Sequence, residues 1–532
     1  MMRVHGNVSL RRIRTTVLAA TALVALAVLP YLGALRHPLL HDDRTLLDNA
    51  WLARDAELRS ILSRDFWHGT DHAGSDLYRP LTILTLAVNL RAKAGAMPFR
   101  LTNALLHAAV SLLVWWALAK VFRTLERNPG DPAGSIRHSE ADGRRRCSTP
   151  AWIGAALFAA HPLASEAVLF AVGRAELLAA AFGLLAFLAA LESGRARARG
   201  GLAIARSAVF FLLALGSKES AAAWLAVLIG WWLATWHAAR SPGRIRAVVI
   251  AWSGALLLFL AGRARVVGWL PDDPPWVDNP LVSVDLVTRV ANAVRLQAVY
   301  YGKMIVPHRL SVDYGFDQIP VLPLIPWGLT TMVAVVVLWA ALAWGLARSS
   351  PAAFFLWCFT PLAFAVTGNL FFPIGVLLAE RLAYVPMIGA CGLLGWLIWR
   401  GSPRPAVRVG IVVAALIAAE ARTAERGRDL RDLATFVEAT ATASPRAVKA
   451  LANAGRTRLR TGRVLDAIGP LERAIEIWPD YPRALALMAS VQERLGNSEA
   501  ADGYRRRARL AFERGAGGAA ETDSGDESRP PR

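Results

Sequence analysis

Cysteine is scarce: Cys147, Cys358 and Cys391 are the only three in 532 residues. They are too scattered for a disulfide framework, and no CxxC pair offers a metal or redox site. A phosphate-cradling P-loop, a dinucleotide fingerprint and a His-rich metal motif are also missing, which removes the commonest nucleotide and metal chemistries. No small-residue cleavage site follows the first apolar run, so that run is expected to stay as an uncleaved span rather than a signal peptide. Acids are in short supply, 40 Asp and Glu against 60 Lys and Arg, for a formal charge of +20. The surplus is mostly arginine in short gaps between apolar runs, the pattern of cytoplasmic loops, and this argues against a nucleic-acid partner. No Gly/Pro-broken pair of spans and no inverted repeat points to a transporter.

What the chain has is apolar length. Its hydrophobic fraction is 55 %, gathered in long runs with few charges. Such runs are the mark of an all-α, polytopic membrane helix bundle. About eleven spans are expected, near residues 17–35, 99–122, 151–169, 174–192, 203–217, 220–238, 247–262, 325–347, 352–369, 383–400 and 405–420. Arg3, Arg11, Arg12 and Arg14 place the N-terminus in the cytoplasm. The first span then delivers His41, Asp42 and Asp43 to the outer face, at the start of a long loop that reaches residue 97. Residues 123–150 read as a flexible cytoplasmic loop, and 289–324 as an interfacial or re-entrant segment. An odd number of spans puts the C-terminus outside as well. The Ala- and Arg-rich composition suggests a GC-rich bacterial genome, hence an inner membrane with its outer face in the periplasm.

The C-terminal part changes character and repeats itself. Pro445 recurs as Pro479, Leu451 as Leu485, Gly462 as Gly496, Ala467 as Ala501 and Ala474 as Ala508. Each offset is 34 residues, the tetratricopeptide period, so a short α-solenoid is expected to lean on the membrane part. The expected division is a membrane domain over 1–421, repeats over 422–514 and a disordered tail over 515–532.

Between spans, a recurring polar set falls on the outer side: Asp42 and Asp43, Arg79, His161 and Glu166, Arg174 and Glu176, Lys218 and Glu219, Glu380 and Arg381. Ionisable groups near spans usually face a cavity or a partner, because burying one in a bilayer costs roughly 2.5–3.5 kcal/mol. Taken singly, each reads first as a paired structural residue. Acids and cations on one face suit a lipid-phosphate substrate, the cations holding phosphate and a carboxylate acting as general base.

Seven motifs then follow in order. They are Leu40-His41-Asp42-Asp43; Tyr78-Arg79-Pro80-Leu81-Thr82; Asn103-Ala104-Leu105-Leu106-His107; and Ala160-His161-Pro162 with Ser165-Glu166-Ala167-Val168. Val172-Gly173-Arg174-Ala175-Glu176-Leu177-Leu178, Lys218-Glu219 and Ala379-Glu380-Arg381-Leu382-Ala383-Tyr384 complete them. With the terminal repeats, this ordered set resembles the transmembrane and tetratricopeptide repeat-containing O-mannosyltransferases. The resemblance implies a GT-C type membrane glycosyltransferase that moves a sugar, mannose in that family, from a polyprenyl-phosphate donor to Ser or Thr of proteins. It makes Asp42 and Asp43 the catalytic centre, with a slight lean toward Asp42 as the base. Arg79, His161, Glu166, Arg174, Glu176, Lys218, Glu219, Glu380 and Arg381 would line the substrate and lipid-phosphate site. The repeats would present the protein acceptor. No cofactor is required; a divalent metal shared by Asp42 and Asp43 is compatible with their adjacency, though nothing in the spacing demands one. Two other readings stay open: the same fold acting on an envelope glycan or lipid, and a non-catalytic membrane-anchored scaffold.

Overall fold

The computed structural model describes residues 2–70, 73–74, 76–92, 95–126, 137–193, 200–235, 242–269, 272–401 and 404–514. Among them every regular element is helical and no strand forms. Six helices are long and apolar enough to cross a bilayer: Ile13–Ala34, Ala96–Leu125, Arg174–Ser193, Gly200–Ser217, Arg244–Val267 and Leu324–Ser349. Thr149–Ala160 and Pro162–Leu169, bent by 50° at His161, make a seventh if taken as one broken span.

The expected eleven therefore exceeds what helix length supports among the described residues. An apolar run is not yet a helix. Residues 220–238 begin in a 3-10 turn, Glu219–Ala222, and continue as Ala223–Thr235, a helix of 13 residues. The run 352–369 yields the 13-residue Pro351–Ala363, and 383–400 the 16-residue Pro386–Gly401. A straight crossing takes about 20 residues. Residues 137–150 also differ from the expected loop, while 127–136 lie outside the described residues. A helix starts at Arg137 and runs through Pro150 to Ala160; a proline removes one backbone hydrogen bond, which the apolar continuation offsets. The gap holding Arg195, Arg197 and Arg199, Arg240 and the tail 515–532 lie outside the described residues.

The segment after the first span forms three short helices, Asp42–Leu47, Ala50–Arg54 and Leu58–Leu62. They have a small apolar core of their own, in which Leu39, Leu46, Leu52, Ile61 and Phe66 pack with Leu86 and Phe99. The Pro80–Arg91 helix closes it with Ile83, Leu86 and Ala87 on one face. Leu286–Ile305, expected as interfacial or re-entrant, is an amphipathic helix capped by Asp285, whose carboxylate accepts from Val287 N–H at 2.9 Å and Thr288 N–H at 3.1 Å.

The Pro405–Asp429 helix is apolar in its first half and charged in its second, and five shorter helices follow it to Glu513. Val448–Arg460 and Pro482–Arg494 start 34 residues apart and end 34 residues apart. A Cβ on Gly455 would lie 2.5 Å from Leu471 Cγ, so glycine is what lets this helix approach Ile468–Ile477. These helices dock on two loops of the bundle. Val448 N–H donates to Phe316 O at 2.7 Å, Lys449 Nζ meets Asp278 at 2.9 Å, and Arg446 pairs with Asp317. Trp276 packs between Phe316 and Trp478, with ring centroids 4.3 and 5.0 Å away. Leu430, Phe436 and Val437 belong to the same apolar cluster as the bundle itself.

Candidate functional site

The site begins with a clamp. Arg100, buried within the second span, donates from Nε to Leu169 O at 2.9 Å, from Nη1 to Ala34 O at 3.1 Å and from Nη2 to Pro38 O at 2.8 Å, and it also bonds His37 O. One guanidinium thereby satisfies the carbonyls of the turn that leaves the first span. The chain then reverses over Leu40–Asp43, with Asp43 N–H donating to Leu40 O at 3.2 Å. His41 occupies the first inner position of that turn with φ 55° and ψ −134°.

The two adjacent aspartates receive different environments. Asp43 is fully buried, and its carboxylate accepts from Ala171 N–H at 2.8 Å and from Val172 N–H at 3.0 Å. Burial pushes this carboxyl up to about 7 against the pull of those two N–H groups. Both oxygens hold the 170–173 turn. Asp42 instead lines a small open cavity together with His41, Glu166, Phe170, Val172, Val312 and Arg381. Its Oδ1 is 2.6 Å from His41 Nδ1. Desolvation works to raise the Asp42 carboxyl, but the charge and hydrogen bond of His41, with Arg381 and Lys449 beyond, outweigh it and hold the group below the usual carboxylate range.

Across the cavity, Arg381 N–H donates to Glu166 Oε2 at 2.8 Å and its guanidinium pairs with Glu166 Oε1. Glu166 is nearly covered, whereas Arg381 keeps 32 % of its side-chain surface exposed, enough to meet an anion entering the cavity. Lys218 and Glu176 form a buried pair beside a second small cavity, lined by Glu176, Ser220, Trp224, Thr367, Leu382 and Pro386 among others. Arg79 Nε pairs with Glu219 at 2.9 Å, and the other Glu219 oxygen accepts from Tyr78 N–H at 2.6 Å.

Of the nine residues expected to line the site, only Glu166 and Arg381 line the Asp42 cavity; Arg79, Glu176, Lys218 and Glu219 form the pairs just described, and Arg174, His161 and Glu380 are engaged elsewhere. Arg174 is buried among acceptors, donating to Asn103 Oδ1 at 2.9 Å, Asn89 Oδ1 at 2.6 Å, Thr85 O at 2.9 Å and Phe99 O at 3.3 Å. His161 accepts from Leu163 N–H at 3.2 Å on Nδ1 and donates from Nε2 to Met304 O at 2.9 Å, so both ring nitrogens are engaged in holding the bend. Glu380 is fully buried, taking Ser311 N–H at 2.7 Å and the Tyr314 hydroxyl on one oxygen.

Sequence reasoning missed Arg100 and Lys449. Arg100 carried a signal, an arginine inside an apolar run. Lys449 carried none, because it reaches the vicinity of Asp42 only when the C-terminal helices dock. Among the described residues, no three His, Cys, Asp or Glu side chains gather so as to hold a metal ion.

No family model and no solved structure matches the chain. Curated proteins do. Protein O-mannosyl-transferase TMTC4 of Homo sapiens is 27 % identical over 407 residues, which are 66 % of this chain and 51 % of the human protein. Protein O-mannosyl-transferase Tmtc3 of Drosophila melanogaster is 26 % identical over 510 residues, 85 % of this chain and 54 % of the fly protein. Protein O-mannosyl-transferase TMTC3 of Homo sapiens is 28 % identical over 427 residues, 74 % of this chain and 43 % of its own length. The chain thus spans about half the length of the curated relatives it matches. Over most of its own length it is similar to proteins named for O-mannosyl transfer.

Proposed function

We propose that this protein is a membrane glycosyltransferase of GT-C type, transferring a sugar from a polyprenyl phosphate to a Ser or Thr hydroxyl. The observation that carries the reading is the cavity in which Asp42 faces Arg381 and Glu166 just beyond the first span. A carboxylate and an exposed guanidinium on one small cavity match the two needs of the reaction. Arg381, backed by Lys218, takes the phosphate as it leaves with the bonding electrons; the acidic turn removes the proton of the attacking hydroxyl. Phosphate is a good leaving group, so a single base suffices and the anomeric centre inverts. Asp42 is the carboxylate the chemistry depends on, and Asp43 holds the turn behind it.

The shorter apolar helices fill out a bundle of about eleven crossings over residues 1–421. The paired helices of 422–514 act as tetratricopeptide repeats that bring a polypeptide acceptor to the cavity. Mannose is the sugar named by the relatives, and the periplasmic face of a bacterial inner membrane is the compartment. The test is incubation of the purified full chain with labelled polyprenyl-phosphate mannose and a Ser/Thr-rich peptide. Label should enter the peptide with the wild type and fall at least 10²-fold with Asp42→Asn, whose melting temperature stays unchanged. Equal transfer by both proteins would overturn the reading.

A further inference from the structure

The turn that carries the aspartates holds a residue that its backbone does not favour. A φ of 55° with ψ −134° at the first inner position is close to a type II′ turn, where glycine is the natural occupant and a side chain is strained. Histidine stands there instead. Its Nδ1 is 2.6 Å from Asp42 Oδ1, and its side chain is half exposed while lining the same cavity as Arg381. Among the described residues no hydrogen bond reaches its Nε2. Phe436, from the first helix of the C-terminal part, meets the imidazole edge-on with centroids 6.2 Å apart and limits its rotation.

The other basic atoms around the cavity are largely committed. Both Asp43 oxygens accept backbone N–H groups, and both Glu166 oxygens bind Arg381. Asp42 offers one oxygen to the imidazole. A carboxylate on Nδ1 fixes the tautomer that leaves Nε2 as an acceptor, the arrangement by which a histidine becomes an oriented base.

Resting on the transferase reading, we propose that His41 is a catalytic residue, its Nε2 taking the proton of the acceptor hydroxyl while Asp42 holds Nδ1–H. The hydroxyl oxygen forms a bond to the anomeric carbon, and the bond from that carbon to the phosphate oxygen breaks with its electron pair leaving on phosphate. The proton passes from the hydroxyl to Nε2, and the imidazolium then returns it to water. The groups facing the ring are Asp42 and Asp313 on the acidic side and Lys449 and Arg381 on the basic side. The carboxylate of Asp42 dominates and raises the imidazole above its usual range.

His41→Gly is the informative variant, because glycine suits the backbone. In the assay above, it should melt at the wild-type temperature or a few degrees higher, lose at least 10²-fold in transfer rate, and regain activity with added imidazole. His41→Asn, which tolerates positive φ but takes no proton, should lose the same activity. The wild-type rate should fall as pH drops through the imidazole range. Three results would overturn the assignment of His41 alone: an active wild type with His41→Gly within twofold of it, no rescue by imidazole, or a wild-type rate that rises as pH falls. The last would mark Asp42 as the direct base beside a helpful imidazolium. A wild type that transfers nothing would overturn both readings together.

Discussion

Replacing Asp43 with asparagine should cost folding rather than chemistry. Its carboxylate accepts two backbone N–H groups, from Ala171 at 2.8 Å and Val172 at 3.0 Å, and the residue is fully buried. Asparagine keeps the shape but offers one oxygen and one NH₂. One of the two N–H groups then faces a donor in place of its acceptor. Leaving a buried polar group unpaired costs about 1–3 kcal/mol. The negative charge felt by Arg100 and Arg174 disappears as well, which adds to the cost. At roughly 2–4 °C per kcal/mol for a domain of ordinary size, the purified protein should melt several degrees lower. Thermal melting in lipid nanodiscs, set beside transfer per folded molecule, gives the answer. Asp43→Asn should retain transfer once corrected for folded fraction, while Asp42→Asn shows the opposite pattern. An Asp43→Asn protein that melts like the wild type yet transfers nothing would refute the division of labour.

Two other perturbations follow from the buried ion pairs and acids. Lys218→Met leaves Glu176 buried and unpaired and should cost about 3–5 kcal/mol, whereas Lys218→Met with Glu176→Leu should recover most of it; melting curves of the single and double variants decide, and equal melting of all three would refute the pairing. Burial pushes Glu380 up to about 7, partly countered by Arg426, so its folded pKa lies above the unfolded value of 4.5. Stability from this site is therefore full below about 4.5 and declines as pH rises toward 7. Glu380→Gln should flatten that decline in melting temperatures measured across the range, and an unchanged slope would remove Glu380 as its source.

Periodicity and position were readable from the residues; long-range partners were not. The adjacency of Asp42 and Asp43 to the end of an apolar run marked the candidate site, because a span boundary is a local property of sequence. The 34-residue offsets anticipated helices that start at 448 and 482, and small residues such as Gly455 marked where they pack closely. Arg174 shows the opposite case. It reads as a phosphate cation, yet its acceptors, Thr85, Asn89, Phe99 and Asn103, stand 71 to 89 residues away in sequence. His161 likewise looks free until Met304 O and Leu163 N–H claim its two nitrogens. The lengths of several apolar helices were unreadable for a related reason. Hydrophobicity reports which residues avoid water, while 3-10 turns such as Glu219–Ala222 and Glu380–Ala383 decide where a helix begins.

The docking of the C-terminal helices has a consequence for how such a chain can evolve. Phe436 touches His41, Lys449 reaches Asp278, and the backbone of Val448 is bonded to Phe316. The C-terminal helices thus stand directly against the acidic turn. The two parts are not a reader and a tool joined by a tether. On the proposed reading, new acceptor preferences would arise in the later helices, Pro482–Arg494 and Ser498–Glu513, while the first ones stay fixed against the turn.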